Sequence, residues 1–217
     1  MDDTLQRTFA LLDLAAVFVF AATGALAAAR RKHDIVTFGF FAAITGVGGG
    51  TLRDLLIDAP VFWIDRPSYL VVCLGAGTAV WVFGDRRFRA RLLLWLDALG
   101  MAAYAVVGAA KASAFGVPPL PAIVMGVLTA TCGGIIRDVV AEEPSVLLRR
   151  EIYITAALLG AAVFVGLQLV GVAALPAGLA GFAAALALRA CAIIFNWSLP
   201  GFPGKDEESR LDGRDRD

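Results

Sequence analysis

Hydrophobic residues run through this chain in long unbroken blocks, not at the spacing of a half-buried helix or strand. Seven blocks stand out, at about 10–29, 35–57, 68–83, 92–111, 121–141, 152–170 and 173–195. A helix rising 1.5 Å per residue needs ~20 apolar residues to cross a bilayer, so each block predicts a transmembrane span. Short polar connections separate them, punctuated by Pro60, Pro67, Pro118, Pro119 and Pro144. The first block follows Met-Asp-Asp, acidic where a signal peptide is basic, which predicts a retained helix rather than a cleaved leader. The closing PGFPGKDEESRLDGRDRD is charged and poor in apolar residues, the composition of a disordered tail.

Two of the blocks are interrupted in the same way. Span 2 carries GGGTLRD, Gly48 to Asp54, and span 5 carries CGGIIRD, Cys132 to Asp138. Sliding the chain against itself by 84 residues brings more than these motifs together. Leu12-Asp13 falls on Leu96-Asp97, Gly24-Ala25 on Gly108-Ala109, and Thr45 on Thr129. Gly49-Gly50 meets Gly133-Gly134, Arg53-Asp54 meets Arg137-Asp138, and Pro60, Arg66 and Tyr69 meet Pro144, Arg150 and Tyr153. Matches among Ala, Leu and Gly are cheap here, but Arg, Asp, Pro and Tyr in one ungapped register predict a duplication. Each unit holds three spans, an odd number, so the second copy is expected upside down relative to the first. The predicted fold class is an all-α integral membrane protein of seven transmembrane helices, two inverted three-helix repeats plus a seventh helix. Its expected divisions are 1–91, 92–170, 171–199 for the last helix, and 200–217 for a cytoplasmic tail.

Composition agrees with the blocks. Hydrophobic residues make up 59% of the 217, and the mean hydropathy is +0.77, above the 45–50% apolar content of soluble domains. Net charge is zero, so no whole-molecule field draws in nucleic acid. The basic residues set direction. With the N-terminus outside, thirteen fall on the inner segments (Arg30 to Lys32, Arg86 to Arg91, Arg149 and Arg150, and the tail) and only Arg7 and Arg66 on the outer ones. The positive-inside bias therefore predicts an external N-terminus and a cytoplasmic C-terminus. Cys73, Cys132 and Cys191 lie in apolar blocks and read as buried thiols. His33 is the only histidine and sits among loop charges, and no HExxH, GxSxG or phosphate-loop pattern occurs. Enzymatic chemistry, a cofactor and a resident metal are not expected; the ions implied are transient monovalent cations.

The motifs carry the candidate chemistry. Adjacent glycines each weaken a helix by ~1 kcal/mol and predict a bend or unwound turn, whose freed carbonyls are tolerated only inside protein or beside a watery cavity. Gathered carbonyl dipoles with a carboxylate nearby suit a cation. Four charges, Arg53, Asp54, Arg137 and Asp138, cost on the order of 10 kcal/mol at mid-membrane before pairing. Neighbours on a helix point about 100° apart, so the pairing expected first runs across the repeats, Arg53 to Asp138 and Arg137 to Asp54. Two readings stay open: the charges border a conduction path, or they lock the repeats together while the glycines serve close packing. Asp13 and Asp97, near the starts of their spans, read as helix caps before ion ligands. Lys111 has no counterpart in the first repeat and is expected to snorkel, with a role in gating as the alternative; Arg189 is expected to snorkel too.

GVGGGTLRD and ATCGGIIRD, at equivalent places in two inverted three-helix units with a seventh helix, resemble the prokaryotic members of the trimeric intracellular cation (TRIC) channel family. The resemblance covers roughly residues 8–197. It implies a homotrimer in the bacterial inner membrane, surrounded by lipid, with one ion path in each subunit along kinked spans 2 and 5. Gly48, Gly49, Gly50, Gly133 and Gly134 would be the kinks, Arg53, Asp54, Arg137 and Asp138 would flank the path, and Thr45 and Thr129 would stand near it. Potassium would be carried, with sodium passing too, since nothing resembles a ring of ordered filter carbonyls. Cys132 in place of a third glycine implies a smaller bend in span 5. The same bacterial family is also described as glycine transporters, and a zwitterion held between an Arg and an Asp is the competing expectation.

Overall fold

A computed structural model describes residues 3–83, 89–143 and 152–198. The expected tail from residue 200, with Arg86, Arg87, Pro144, Arg149 and Arg150, lies outside the described residues. All regular structure there is helical: α1 Asp3–Arg30, α2 Ile35–Leu56, α3 Phe62–Asp65, α4 Ser68–Phe83, α5 Arg89–Ala114, α6 Pro119–Val140, α7 Ile154–Leu169 and α8 Ala174–Phe195. Five of these (α1, α2, α5, α6 and α8) are long and apolar enough to cross a membrane, and α4 and α7 are shorter apolar helices. Each predicted span coincides with one helix. The four-residue α3 was not expected.

Local chemistry starts and stops these helices. The Asp34 carboxylate accepts from the Thr37 backbone N–H at 2.9 Å and caps α2. Pro119 opens α6, where its missing N–H would have no partner anyway. The exits of α2 and α6 are built alike. Asp58 and Glu142 both take φ 52°, and the N–H of the next residue reaches back to a motif carbonyl: Ala59 to Asp54 at 2.8 Å, Glu143 to Asp138 at 2.9 Å. The 84-residue register thus extends to the backbone.

Helices α1, α2 and α4 pack on one another, as do α5, α6 and α7; the groups meet along α1–α5 and α2–α6, and α8 lies against α7 and α5. Exchanging α1 with α5, α2 with α6 and α4 with α7 reproduces this packing pattern. The expected unwound turn is absent: α2 and α6 are helical through both glycine runs. The reason is reciprocal close packing. A Cβ on Gly49 would collide with the Thr129 carbonyl oxygen, and one on Gly133 would come within 2.6 Å of the Thr45 carbonyl oxygen. Only glycine lets two helix backbones approach so closely, which is the small-residue packing known from membrane helices. Thr45 and Thr129 are buried at this crossing.

Candidate functional site

Thr45, Gly49 and Arg53 recur every four residues along α2, as do Thr129, Gly133 and Arg137 along α6. Such residues share a helix face, so the contact that joins the helices also aims the two arginines inward. Arg53 is 3% exposed and Arg137 1%. The two motifs lie at opposite ends of the bundle, because α2 and α6 cross antiparallel, Gly49 on Thr129 and Gly133 on Thr45, and each carries its motif in its last turns.

At the first-motif end, Arg53 folds back on its neighbour: Nε and Nη2 reach Asp54 Oδ1 at 2.8 and 2.7 Å. Lys111, near the end of α5, places Nζ 2.8 Å from both oxygens of Asp54. The Phe62 backbone N–H donates to Oδ2 at 3.1 Å. Asp54 therefore meets three donor groups. Beside them opens a cavity of about 770 Å³, whose polar lining includes Asp13, Asp65, Arg66, Tyr69, Lys111 and Gln168. Tyr69 donates to Asp13 Oδ2 at 2.6 Å across it.

At the second-motif end, Arg137 repeats the fold-back, with Nε and Nη2 on Asp138 Oδ1 at 2.9 and 2.8 Å. Its Nη1 continues to Asp97 at 2.7 Å and to the Thr23 hydroxyl at 3.0 Å. Tyr153, the counterpart of Tyr69, interacts with Asp97, and the Arg189 guanidinium lies 5.1 Å from the Tyr153 ring centroid. Nearby the turn after α1 is clasped to the end of α6: Arg30 pairs with Glu143 at 3.2 Å, and Arg31 donates to the Glu142 carbonyl at 2.6 Å.

Several expectations are corrected by this geometry. The ion pairs of Arg53 and Arg137 fall within each motif rather than across the repeats. An arginine stem spans the 100° between neighbours, whereas the opposite motif sits at the other end of the bundle. Asp13 and Asp97 are not caps, because α1 and α5 begin at Asp3 and Arg89, and both carboxylates accept bonds from side chains instead. Lys111 does not snorkel but turns inward to Asp54. Arg189 does not snorkel either; it is 1% exposed and donates to the Ile152 carbonyl at 3.3 Å. The cysteines are free, Cys73 fully buried and the other two half-buried. Phe62, Thr23 and the partners of Tyr69 and Tyr153 were not assigned from sequence. Only the tyrosines left a signal there, their place in the 84-residue register.

Long apolar helices that enclose paired arginines and a charged cavity define a multi-pass α-helical membrane protein. The sequence model of a family described as "Glycine transporter" matches residues 10–85 and again 94–169, the same unit found twice. The UPF0126 inner membrane protein YadS of Escherichia coli is 38% identical over 203 residues, 92% of this chain and 98% of that protein. A UPF0126 membrane protein of Vibrio cholerae is 38% identical over 88% of this chain and 82% of its own length. Among solved structures, the TRIC trimeric intracellular cation channel orthologue from Rhodobacter sphaeroides superposes with a TM-score of 0.85 at 48% identity, covering 88% of this chain and 99% of that one. Another TRIC cation channel reaches 0.81 at 29% identity, over 91% and 98%. The chain belongs to the prokaryotic TRIC family of membrane proteins, to which the UPF0126 proteins are related.

Proposed function

We propose that the protein is a gated channel for monovalent cations, potassium with sodium also passing, and that each subunit of a homotrimer carries its own path. The observation that carries this reading is the cavity that opens beside Lys111, whose ammonium is bonded to Asp54 of the α2 motif. A cation leaving water there meets carboxylates, Asp13 and Asp65 in the lining and Asp54 behind Lys111. The path then follows α2 and α6 past their crossing towards Arg137. In the present conformation it is shut at that end, since Arg137 is tied to Asp97, Asp138 and Thr23 with no exposure to speak of. Conduction requires that node to open, and a glycine-permitted bend of α2 against α6 is the movement we assign to it.

The duplicated register, the exchangeable packing and the double family match support two inverted three-helix repeats, 1–91 and 92–170, followed by a last helix in 171–199. The basic bias supports an N-terminus outside the inner membrane and a cytoplasmic tail, 200–217, which makes the cavity face outward. Structures of TRIC cation channels that superpose closely favour conduction over carriage of glycine or another zwitterion.

Purified protein fused into planar bilayers under a potassium chloride gradient is expected to give unitary step currents reversing near the potassium potential. Uptake of labelled glycine by proteoliposomes without any step currents would replace the channel with a carrier.

A further inference from the structure

The two arginines are bonded alike to their own aspartates and differ in one nitrogen. Arg137 Nη1 is taken by Asp97 and Thr23. Arg53 Nη1 is buried with no hydrogen-bond partner among the described residues. The register explains the difference. Val107, without a hydroxyl, stands where Thr23 would be repeated, and Asp13 bonds Tyr69 alone where its counterpart Asp97 meets both Tyr153 and Arg137. A guanidinium edge is thus left unpaired at the end of the molecule that carries the cavity.

One residue lies beside both that guanidinium and the cavity. Phe62 lines the cavity, whereas Arg53 is absent from its lining. The Phe62 ring centroid lies 5.9 Å from the Arg53 guanidinium carbon and 5.8 Å from Lys111 Nζ. The ring also fills the space over Gly50, where a Cβ would fall 2.6 Å from its edge, and packs edge-on against Tyr69 at 4.7 Å. Its own N–H holds Asp54, and its neighbour Trp63 is tied to Thr51 at 2.8 Å, so α3 is fastened over the end of α2. An aromatic face accepts cations without adding charge. In the 84-residue register the letter aligned with Phe62 is Val146.

We propose that Phe62 determines the charge selectivity of the channel mouth by covering the unpaired edge of Arg53. With the ring in place, the cavity presents Asp13 and Asp65 against Arg66 and Lys111, a balanced set from which a cation can proceed to Asp54. Without it, the unpaired edge of the Arg53 guanidinium faces the cavity while Asp54 stays turned to Nε, Nη2 and Lys111, and this local positive edge attracts chloride and repels potassium. The inference rests on the channel reading, and its test separates the two.

Reversal potentials in a potassium chloride gradient give the permeability ratio directly. Phe62→Ala is expected to lower the potassium-to-chloride ratio several-fold, Phe62→Tyr to retain it, and Arg53→Gln combined with Phe62→Ala to restore it. Labelling with phenylglyoxal, which reacts with accessible guanidinium groups, reads the same shield without any current. Arg66 is expected to label in the parent protein and Arg53 only once the ring is removed. Phe62→Val serves both measurements if the alanine variant does not fold. An unchanged permeability ratio with Arg53 still protected overturns the proposal, and so does a ratio that stays shifted in the double variant. A parent protein that passes no current defeats the channel reading instead, while the labelling still decides whether Phe62 covers Arg53.

Discussion

The Arg53–Asp54 and Arg137–Asp138 motifs bond internally in the same way and differ in what surrounds them. Arg137 serves two carboxylates, Asp97 and Asp138. Asp54 receives two cations, Arg53 and Lys111. At one end an arginine bridges two anions in a sealed core; at the other an aspartate bridges two cations beside an open cavity. Two motifs alike in sequence are thus set apart by their neighbours. Ala27 stands in the first unit where Lys111 stands in the second, and Thr23 where Val107 stands.

This contrast can be broken deliberately, and the largest effect is expected at Arg137. Arg137→Gln removes the cation that bridges two buried carboxylates, and breaking a buried pair by removing one partner costs ~3–5 kcal/mol. Arg53→Gln leaves Lys111 on Asp54, so its loss is expected at about 1.5–3 kcal/mol, the range of a hydrogen bond to a charged group. Thermal melting in detergent checks both, and equal losses would erase the distinction drawn here.

Next come the glycines of the crossing. Gly49→Ala and Gly133→Ala each push a methyl group into a threonine carbonyl across the interface. Overpacking of this kind costs ~1–3 kcal/mol, and the two variants should melt alike because the clash is reciprocal. Gly166→Ala, with nothing within 4 Å of the added methyl, is the neutral control.

Double-mutant cycles sharpen the pairing itself. Melting of Arg137→Gln and Asp97→Asn, singly and together, should give a coupling of ~1–3 kcal/mol; Arg53→Gln with Asp138→Asn should be additive within about 0.5 kcal/mol. The opposite result would restore pairing across the repeats.

The smallest effect is expected at the clasp. The Arg30–Glu143 pair is partly exposed at 36% and 15%, and pairs of this kind are typically worth ~0–1 kcal/mol and weaken with salt. Glu143→Gln should leave the melting temperature nearly unchanged and independent of ionic strength.

Much of the architecture was legible beforehand, because a bilayer imposes a length on every span and a duplicated sequence repeats its marks. The seven apolar blocks each became a helix, and Tyr69 and Tyr153, matched only as letters, turned out to face Asp13 and Asp97. Asp13, Asp97 and Lys111 were read from their distance to a predicted span end, yet α1 and α5 extend beyond those ends and the side chains point inward; Arg189 points inward although α8 ends where expected. A hydropathy block marks where a helix is apolar, not where its backbone begins or which face meets a neighbour.

Spans, register and the two motifs were determined by the order of residues, since apolar length and an 84-residue self-match are properties of the chain as written. Charge partners were decided by the tertiary structure. Lys111 meets Asp54 across 57 positions and Arg137 meets Asp97 across 40, contacts that exist only once α5 has packed beside α2 and α6. The glycines show the same division. Their backbone weakness is intrinsic, but that they admit a second helix so closely is decided by what lies opposite, and here it is a threonine carbonyl.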